Sequence, residues 1–492
     1  MTLANAIMME QRSCTTENGA YAHTTSGSAL VDLFAMAGAM RTSSEDKIRP
    51  LFNRAFIENP MLGVKLAFYV RDVREGLGER STGRTLFRTL ADTWPQALKY
   101  NLKLIPEYGR WDDLLVCLNT PLEEEAVCVI RGQLEQDCRN MLEGKPVSLL
   151  AKWMPSVNAS SLVTRRSGKR LAKLLGIDEK TYRRTLSALR SFLNVTEKNL
   201  SADTLDCIRY SEVPSCAMMR YRKVFMRKDE NRFHSFLSAV EKGTESIHGE
   251  TLFPYDIVEK YLYGKTGEDE VLEAQWKALP EFVSEENRFL VMADVSGSMY
   301  GRPLAASLGL ALYFSERAKG PFHNRFMTFS KRPELVEIQG KSLYERICYA
   351  KNADWNMNTD LRAAFEVILS AAVKNRIPQD ELPSSLIVIT DMEIDNCTTG
   401  GDVLFTDMMK ERYASFGYTL PNLVFWNVSA RNSTFHSSMD IHGVQLVSGH
   451  SPSVFASLAE RTCLTPYEYV KQVLESPRYD PIVCPSAHFG TN

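Results

Sequence analysis

Phe289-Leu290-Val291-Met292-Ala293-Asp294-Val295-Ser296-Gly297-Ser298-Met299 is the stretch on which the reading of this chain turns. A run of apolar and small residues passes straight into Asp-x-Ser-x-Ser, as a buried parallel strand does when it ends in a ligand-binding loop. One carboxylate and two hydroxyls at alternate positions form an all-oxygen donor set, suited to a hard cation such as Mg2+ at about 2.0–2.1 Å. The remaining donors must come from further along. Two stretches offer them: Trp355-Asn356-Met357-Asn358-Thr359-Asp360, and Leu386-Ile387-Val388-Ile389-Thr390-Asp391, a second apolar strand running into a carboxylate. These pieces can meet at the carboxyl ends of neighbouring strands in an α/β sheet. The expected metal site is therefore Asp294, Ser296, Ser298, Thr359 and Asp391, holding Mg2+ or Mn2+.

Downstream of this motif, strands and helices alternate. Helices are expected at 303–318, 343–350, 361–374, 401–416, 453–459 and 466–474, and strands at 325–329, 386–391, 423–428 and 444–447, with an edge strand at 334–339. That alternation implies a mainly parallel sheet covered on both faces. The Pro-containing tail, 476–492, is expected to be loosely held.

Upstream the period changes. From Ser28, apolar residues recur at three and four: Leu30, Leu33, Phe34 and Ala37 share one face, and Leu62, Leu66, Tyr69, Val70 and Val73 another. Short helices closed by Gly or Pro continue to about residue 280 without an exact repeat, the pattern of an all-α, HEAT-like array of degenerate helical hairpins. Residues 1–26 are polar and read as an irregular arm. The expected organisation is α + α/β: arm 1–26, helical array 27–280, doubly wound Rossmann-like domain 281–475, tail 476–492.

Charge is unevenly spread over the 492 residues. Between Lys145 and Ser235 there are 19 Lys and Arg against 8 Asp and Glu, a local +11 in a chain of net −2, which leaves −13 elsewhere. Within this section lie Lys152-Trp153, Thr164-Arg165-Arg166-Ser167-Gly168-Lys169-Arg170 and Tyr182-Arg183-Arg184. Cations interleaved with aromatic rings suit phosphate contact combined with base stacking. Lys152, Arg165, Arg166, Lys169, Arg170, Arg183 and Arg184 are the candidate RNA contacts. The alternative is a set of helices whose basic faces simply meet water.

The 10 cysteines are scattered, with no Cys-x-x-Cys, and read as free thiols of a reducing cytoplasm. No run of about 18 apolar residues and no basic, then apolar, leader occurs, so neither membrane insertion nor secretion is expected. No His-x-x-x-His, Gly-x-Ser-x-Gly or phosphate-cradling Gly loop is present, and no enzyme is expected.

With these residues in view, the C-terminal half resembles a von Willebrand factor A domain carrying its metal-ion-dependent adhesion site. A helical array ahead of such a domain resembles the TROVE module of the Ro autoantigen family of RNA-binding proteins. The nearest likeness is to the shorter bacterial, phage and plant relatives of that layout, seen in Thr16-Glu17-Asn18-Gly19-Ala20, Lys152-Trp153-Met154-Pro155-Ser156 and Thr390-Asp391-Met392-Glu393-Ile394-Asp395. The resemblance implies that Ser296 and Ser298 bind the ion directly. It implies that Thr359 does so directly or through water, and that Asp294 and Asp391 hold the ion's waters. One departure is Met392, where many such domains have Gly, followed by Glu393 and Asp395, which either raise cation affinity or occlude a partner's carboxylate. The expectation is a monomeric ribonucleoprotein scaffold binding RNA through the array and a protein through the metal site. The alternative is a Mg2+-dependent protein-interaction module without RNA.

Overall fold

In the computed structural model, which describes residues 12–264, 267–283, 288–328, 333–352, 360–394, 405–459 and 463–485, the run from Phe289 is a central strand of a six-stranded sheet. A separate antiparallel hairpin, β1 (Ser13–Thr15) and β2 (Tyr21–His23), precedes it. The sheet comprises β3 (Phe289–Ala293), β4 (Arg325–Thr328), β5 (Leu335–Glu337), β6 (Ser385–Thr390), β7 (Asn422–Asn427) and β8 (Val444–Ser448). Its order is β5-β4-β3-β6-β7-β8, every pair parallel except the antiparallel β4–β5 edge. β3, β6 and β8 are buried along their whole length, which explains why β3 and the body of β6 read as continuous apolar runs rather than alternating ones. Each expected strand and helix of this half falls within a few residues of its place, and Thr359 lies outside the described residues.

Among the described residues between 28 and 278 there is no strand, as the three-and-four periodicity requires. Local signals start and stop these helices. Ser28 caps Ala29–Ala37 by accepting from the Val31 amide; Asn59 caps Pro60–Arg71, whose proline occupies the first turn. Asp178 caps Glu179–Phe192 at two amides, and Gly176, at φ +73°, ends Leu162–Leu175 in the left-handed region that glycine tolerates. The stripe Tyr182, Leu186, Leu189 is the buried face of the Glu179–Phe192 helix.

Three features depart from expectation. The helical array and the sheet, expected as separate domains 27–280 and 281–475, share one continuous apolar core. The Ala29–Ala37 helix packs on β8, where Gly38 and Gly449 approach so closely that a Cβ on Gly38 would lie 2.5 Å from the Gly449 Cα. Ser448 Oγ stitches the seam, donating to Phe34 O at 2.8 Å and accepting from Gly38 N at 3.0 Å. Residues 205–271 contribute a smaller second core around Tyr210, Phe225 and Phe233.

The arm is the second departure: residues 13–23 are an ordered hairpin, and His23 pairs with Phe435 beyond β7. The third is the tail, of which residues 476–485 are described and 486–492 lie outside the described residues. Arg478 grips the fully buried Asp72 carboxylate at 2.9 and 3.0 Å, Tyr479 is buried, and Asn101 exchanges two hydrogen bonds with the Val483 backbone. Sequence periodicity could not reveal this, since the tail has no period and is held by single polar contacts to side chains some 400 positions away.

Candidate functional site

Two sites emerge. The first stands at the carboxyl edge of the sheet. Because β3 and β6 are adjacent and in register, Ala293 opposite Ile389, their following residues Asp294 and Asp391 are brought together. Both carboxylates are 2% exposed. Asp294 is tied in place by the Ser296 amide on Oδ1 and the Thr390 hydroxyl on Oδ2, each at 2.8 Å. The Ser296 and Ser298 hydroxyls lie 2.9 Å apart. Burial, then the charge of Asp391, pushes the Asp294 pKa up to about 6, against the pull of its hydrogen bonds.

Asp391 has an oxygen left over. Its Oδ1 accepts from the Glu393 amide at 3.3 Å, whereas Oδ2 is buried without a hydrogen-bond donor, with the Arg431 guanidinium 3.8 Å away. An orphaned buried carboxylate oxygen, a second buried acid and two neighbouring hydroxyls are a fitting donor set for a hard divalent cation. Among the described residues no three His, Cys, Asp or Glu side chains gather, so hydroxyls are an essential part of the set. Four of the five expected metal residues thus converge, and the fifth, Thr359, is outside the described residues. Met392 sits at φ +70°, the left-handed conformation that a glycine here would adopt without strain; its carbonyl is held by His436 Nε2 at 2.9 Å.

Of the two acids after Met392, Asp395 lies outside the described residues and Glu393 is described. The Glu393 carboxylate is engaged by the hairpin and the loop after β7: Oε2 accepts from the Glu17 amide at 2.7 Å, Oε1 from Asn432 Nδ2 at 3.2 Å, and its carbonyl from Asn18 Nδ2 at 2.8 Å. Burial, the Glu17 charge and the Asp391 charge raise its pKa, opposed by these donors. The neighbouring loop closes one side of the site. Arg431 donates to Ser298 O, and its own carbonyl accepts from Lys47 Nζ at 2.8 Å.

The second site is a cleft of about 1700 Å³ between helices of the array. Arg74, Arg80, Arg84, Arg110, Lys152, Arg183, Arg184 and Arg220 all line it. Some of these charges are already spent. Arg80 and Arg84 bind Asp112, and Arg84 also reaches Asp113, which is fully buried beneath Arg71. Arg110, Lys152, Arg183 and Arg184 form no salt bridge among the described residues. The cleft therefore carries uncompensated positive charge.

Of the seven expected RNA contacts, Lys152, Arg183 and Arg184 line this cleft, and Arg165, Arg166, Lys169 and Arg170 do not. The last four belong to the Leu162–Leu175 helix, whose buried face is Gly168, Leu171, Ala172 and Leu175. Two of them are engaged elsewhere, Lys169 with Glu179 at 3.1 Å and Arg170 with Glu123 at 2.6 Å. Arg74, Arg80, Arg84 and Arg110 escaped sequence reasoning because they lie among Glu75, Glu79, Asp112 and Asp113, where no net charge accumulates.

Comparison with known proteins divides the chain at the start of β3. Residues 289–474 match the family model described as Domain of unknown function (DUF7788), and residues 16–136 and 129–289 match that described as Domain of unknown function (DUF2828). The chain is similar to "Uncharacterized protein L728" of Acanthamoeba polyphaga mimivirus, with 27% identity over 512 residues covering 95% of this chain and 88% of that protein. Among the described residues no helix is long and apolar enough to cross a membrane.

Proposed function

We propose that this chain, which belongs to the family of the Domain of unknown function (DUF2828), is an RNA-binding scaffold whose sheet edge carries a Mg2+- or Mn2+-dependent docking site for a protein. The observation that carries the RNA reading is the cleft. At about 1700 Å³ it exceeds the roughly 300–1,000 Å³ of a small-ligand pocket. The cations along it that form no salt bridge, Arg110, Lys152, Arg183 and Arg184, suit a polymer of phosphates, whose affinity comes chiefly from counterion release. The array in this reading is TROVE-like, a likeness of layout.

The docking reading rests on the von Willebrand factor A-like arrangement of Asp294, Ser296, Ser298 and Asp391. Ser296 and Ser298 would hold the cation through their hydroxyls, with Asp294 and Asp391 balancing its charge. The bound ion would supply an open position for a partner's carboxylate. This chain's residues keep the site fixed: Thr390 and the Ser296 amide orient Asp294, and Arg431 bounds the mouth. A second reading, docking without RNA, rests on the buried Asp391 Oδ2 that has no hydrogen-bond donor, an observation independent of the cleft.

Fluorescence anisotropy of a labelled single-stranded RNA oligonucleotide tests the choice. Wild type is expected to bind at low salt with affinity falling steeply as salt rises, at a slope of roughly 0.7 per phosphate neutralised. Arg183→Glu with Arg184→Glu should weaken all sequences alike and flatten the slope. Absence of binding by wild type at low salt leaves the docking reading alone.

A further inference from the structure

We infer that Trp153 is a stacking platform for an unpaired nucleobase, so that the cleft takes single-stranded RNA with one base seated on the indole and the flanking phosphates on Arg110, Lys152 and Arg183. The inference rests on the RNA reading above and adds the chemical group that the cleft recognises.

Four aromatic residues border the cleft, and three are already committed. Tyr182 is buried, its hydroxyl bound to Pro155 O at 2.9 Å. Tyr255 is buried, with the guanidinium groups of Arg41 and Arg302 over its ring at 5.1 and 5.6 Å and His450 against its edge. Phe253 packs on Tyr255 and against the Gly78 backbone. Trp153 is different. It is partly exposed, its indole N–H meets no acceptor among the described residues, and the Arg110 guanidinium lies over its ring at 4.2 Å.

That cover is exchangeable. Arg110 has no carboxylate of its own, and its pKa is lowered by burial and then by the like charges of Arg71 and Arg80, so an incoming phosphate offers it the anion it lacks. A base can slide onto the indole as Arg110 moves to that phosphate, or stack on the guanidinium plane itself, since both are flat π surfaces. Lys152, 5.7 Å from the same ring, supplies a second charge at the platform's edge.

The platform is rigid in advance. Arg190 donates to Ala151 O, Met154 O and Ser156 Oγ, each at 2.8 Å, and thereby fixes the backbone on both sides of Trp153. Behind it Gly168 touches Pro155 and Ser156 so closely that a Cβ there would lie 2.9 Å from Pro155 O. A backbone held this way leaves only the indole's own rotation to be fixed on binding, which limits the entropic cost of stacking. Bases in a duplex are already stacked and cannot reach the indole, so the platform selects unpaired strands.

The test uses the full chain, a labelled single-stranded RNA oligonucleotide, the same RNA annealed to its complement, and inorganic polyphosphate, a polyanion with no base. Trp153→Ala is expected to weaken single-strand binding roughly 10-fold or more, from a stacked base worth about 1–3 kcal/mol, without altering the salt slope. Trp153→Phe should retain most of the affinity, and polyphosphate should bind wild type and both variants equally. Three results would overturn the inference. They are unchanged single-strand affinity in Trp153→Ala, equal loss of polyphosphate binding, which would mean that the indole only positions Arg110, and a preference of wild type for duplex. Wild type that binds no RNA at low salt instead defeats the underlying RNA reading, and a lowered melting temperature shared by Trp153→Ala and Trp153→Phe would separate misfolding from lost stacking.

Discussion

The backbone amide of Glu17 donates to the carboxylate of Glu393 over 2.7 Å, joining the start of the chain to the loop that follows the Asp391 strand. Asn432 closes the triangle by donating to Glu17 Oε1 at 3.0 Å as well as to Glu393, and the Thr16 hydroxyl binds Ile394 O at 2.7 Å. A hairpin with only three residues per strand is marginal alone. Its order comes from this anchoring.

Glu393→Ala is therefore expected to loosen the hairpin before anything else. The Glu17 amide loses its acceptor and Asn432 one of two, a cost of about 0.5–1.5 kcal/mol per bond because water can replace the lost partner at these exposed residues. Hydrogen exchange at residues 13–23 should quicken while the amides of β3 and β6 keep their protection. Equal exchange in the variant and wild type would refute the anchor.

Arg431 stands beside the proposed cation site as a resident positive charge, 3.8 Å from Asp391. A divalent ion must bind against that repulsion, which is moderated by the partial exposure of the guanidinium. Arg431→Ala should raise Mn2+ affinity several-fold, and Ser296→Ala should abolish the Mn2+-dependent rise in melting temperature. A wild-type melting temperature indifferent to millimolar Mg2+ and Mn2+ would sink the cation site altogether.

Charge reversal discriminates the two basic faces. Arg165→Glu, Arg166→Glu and Lys169→Glu together alter the Leu162–Leu175 helix, outside the cleft, whereas Arg183→Glu and Arg184→Glu alter its wall. The cleft pair should cost far more RNA affinity than the triple, despite the smaller change in net charge. The reverse order, read by gel shift at two salt concentrations, would move the RNA off the cleft.

His450 gives the fold a pH dependence. Burial, then the charges of Arg41 and Arg302, depresses its pKa to about 3, so in the folded protein it stays neutral well below pH 6.5 while the unfolded chain takes up a proton. Unfolding then binds protons, and stability falls as pH drops from about 6.5 toward 3. At pH 5 the loss from this one group is about 2 kcal/mol. His436, depressed to about 4 chiefly by burial, acts in the same sense; Asp294, raised to about 6, opposes both between pH 6 and 3.8. His450→Phe should flatten the decline in melting temperature between pH 7.5 and 5, whatever it does to stability at neutral pH. An unaltered decline would show that His450 does not govern it.

Much of this architecture was determined by local pattern. Continuous apolar runs at Phe289 and Leu386 specified buried parallel strands, and each run ended in its carboxylate, so adjacent pairing of β3 with β6 was enough to bring Asp294, Ser296, Ser298 and Asp391 together. Three-and-four spacing likewise specified the helices and their buried stripes. Only the tertiary structure decided what the polar faces of those helices look at. Periodicity states which residues share a face and says nothing of what lies opposite it. Arg183 and Arg165 are equally basic in the sequence, yet one helix turns its cation into the cleft while the other buries Gly168 and Leu171 and turns its cations away. Arg110 meets Trp153 from more than 40 positions away, and Glu393 spends its carboxylate on Glu17. Contacts of that kind depend on the packing angles of elements remote in sequence, which the tertiary packing as a whole determines.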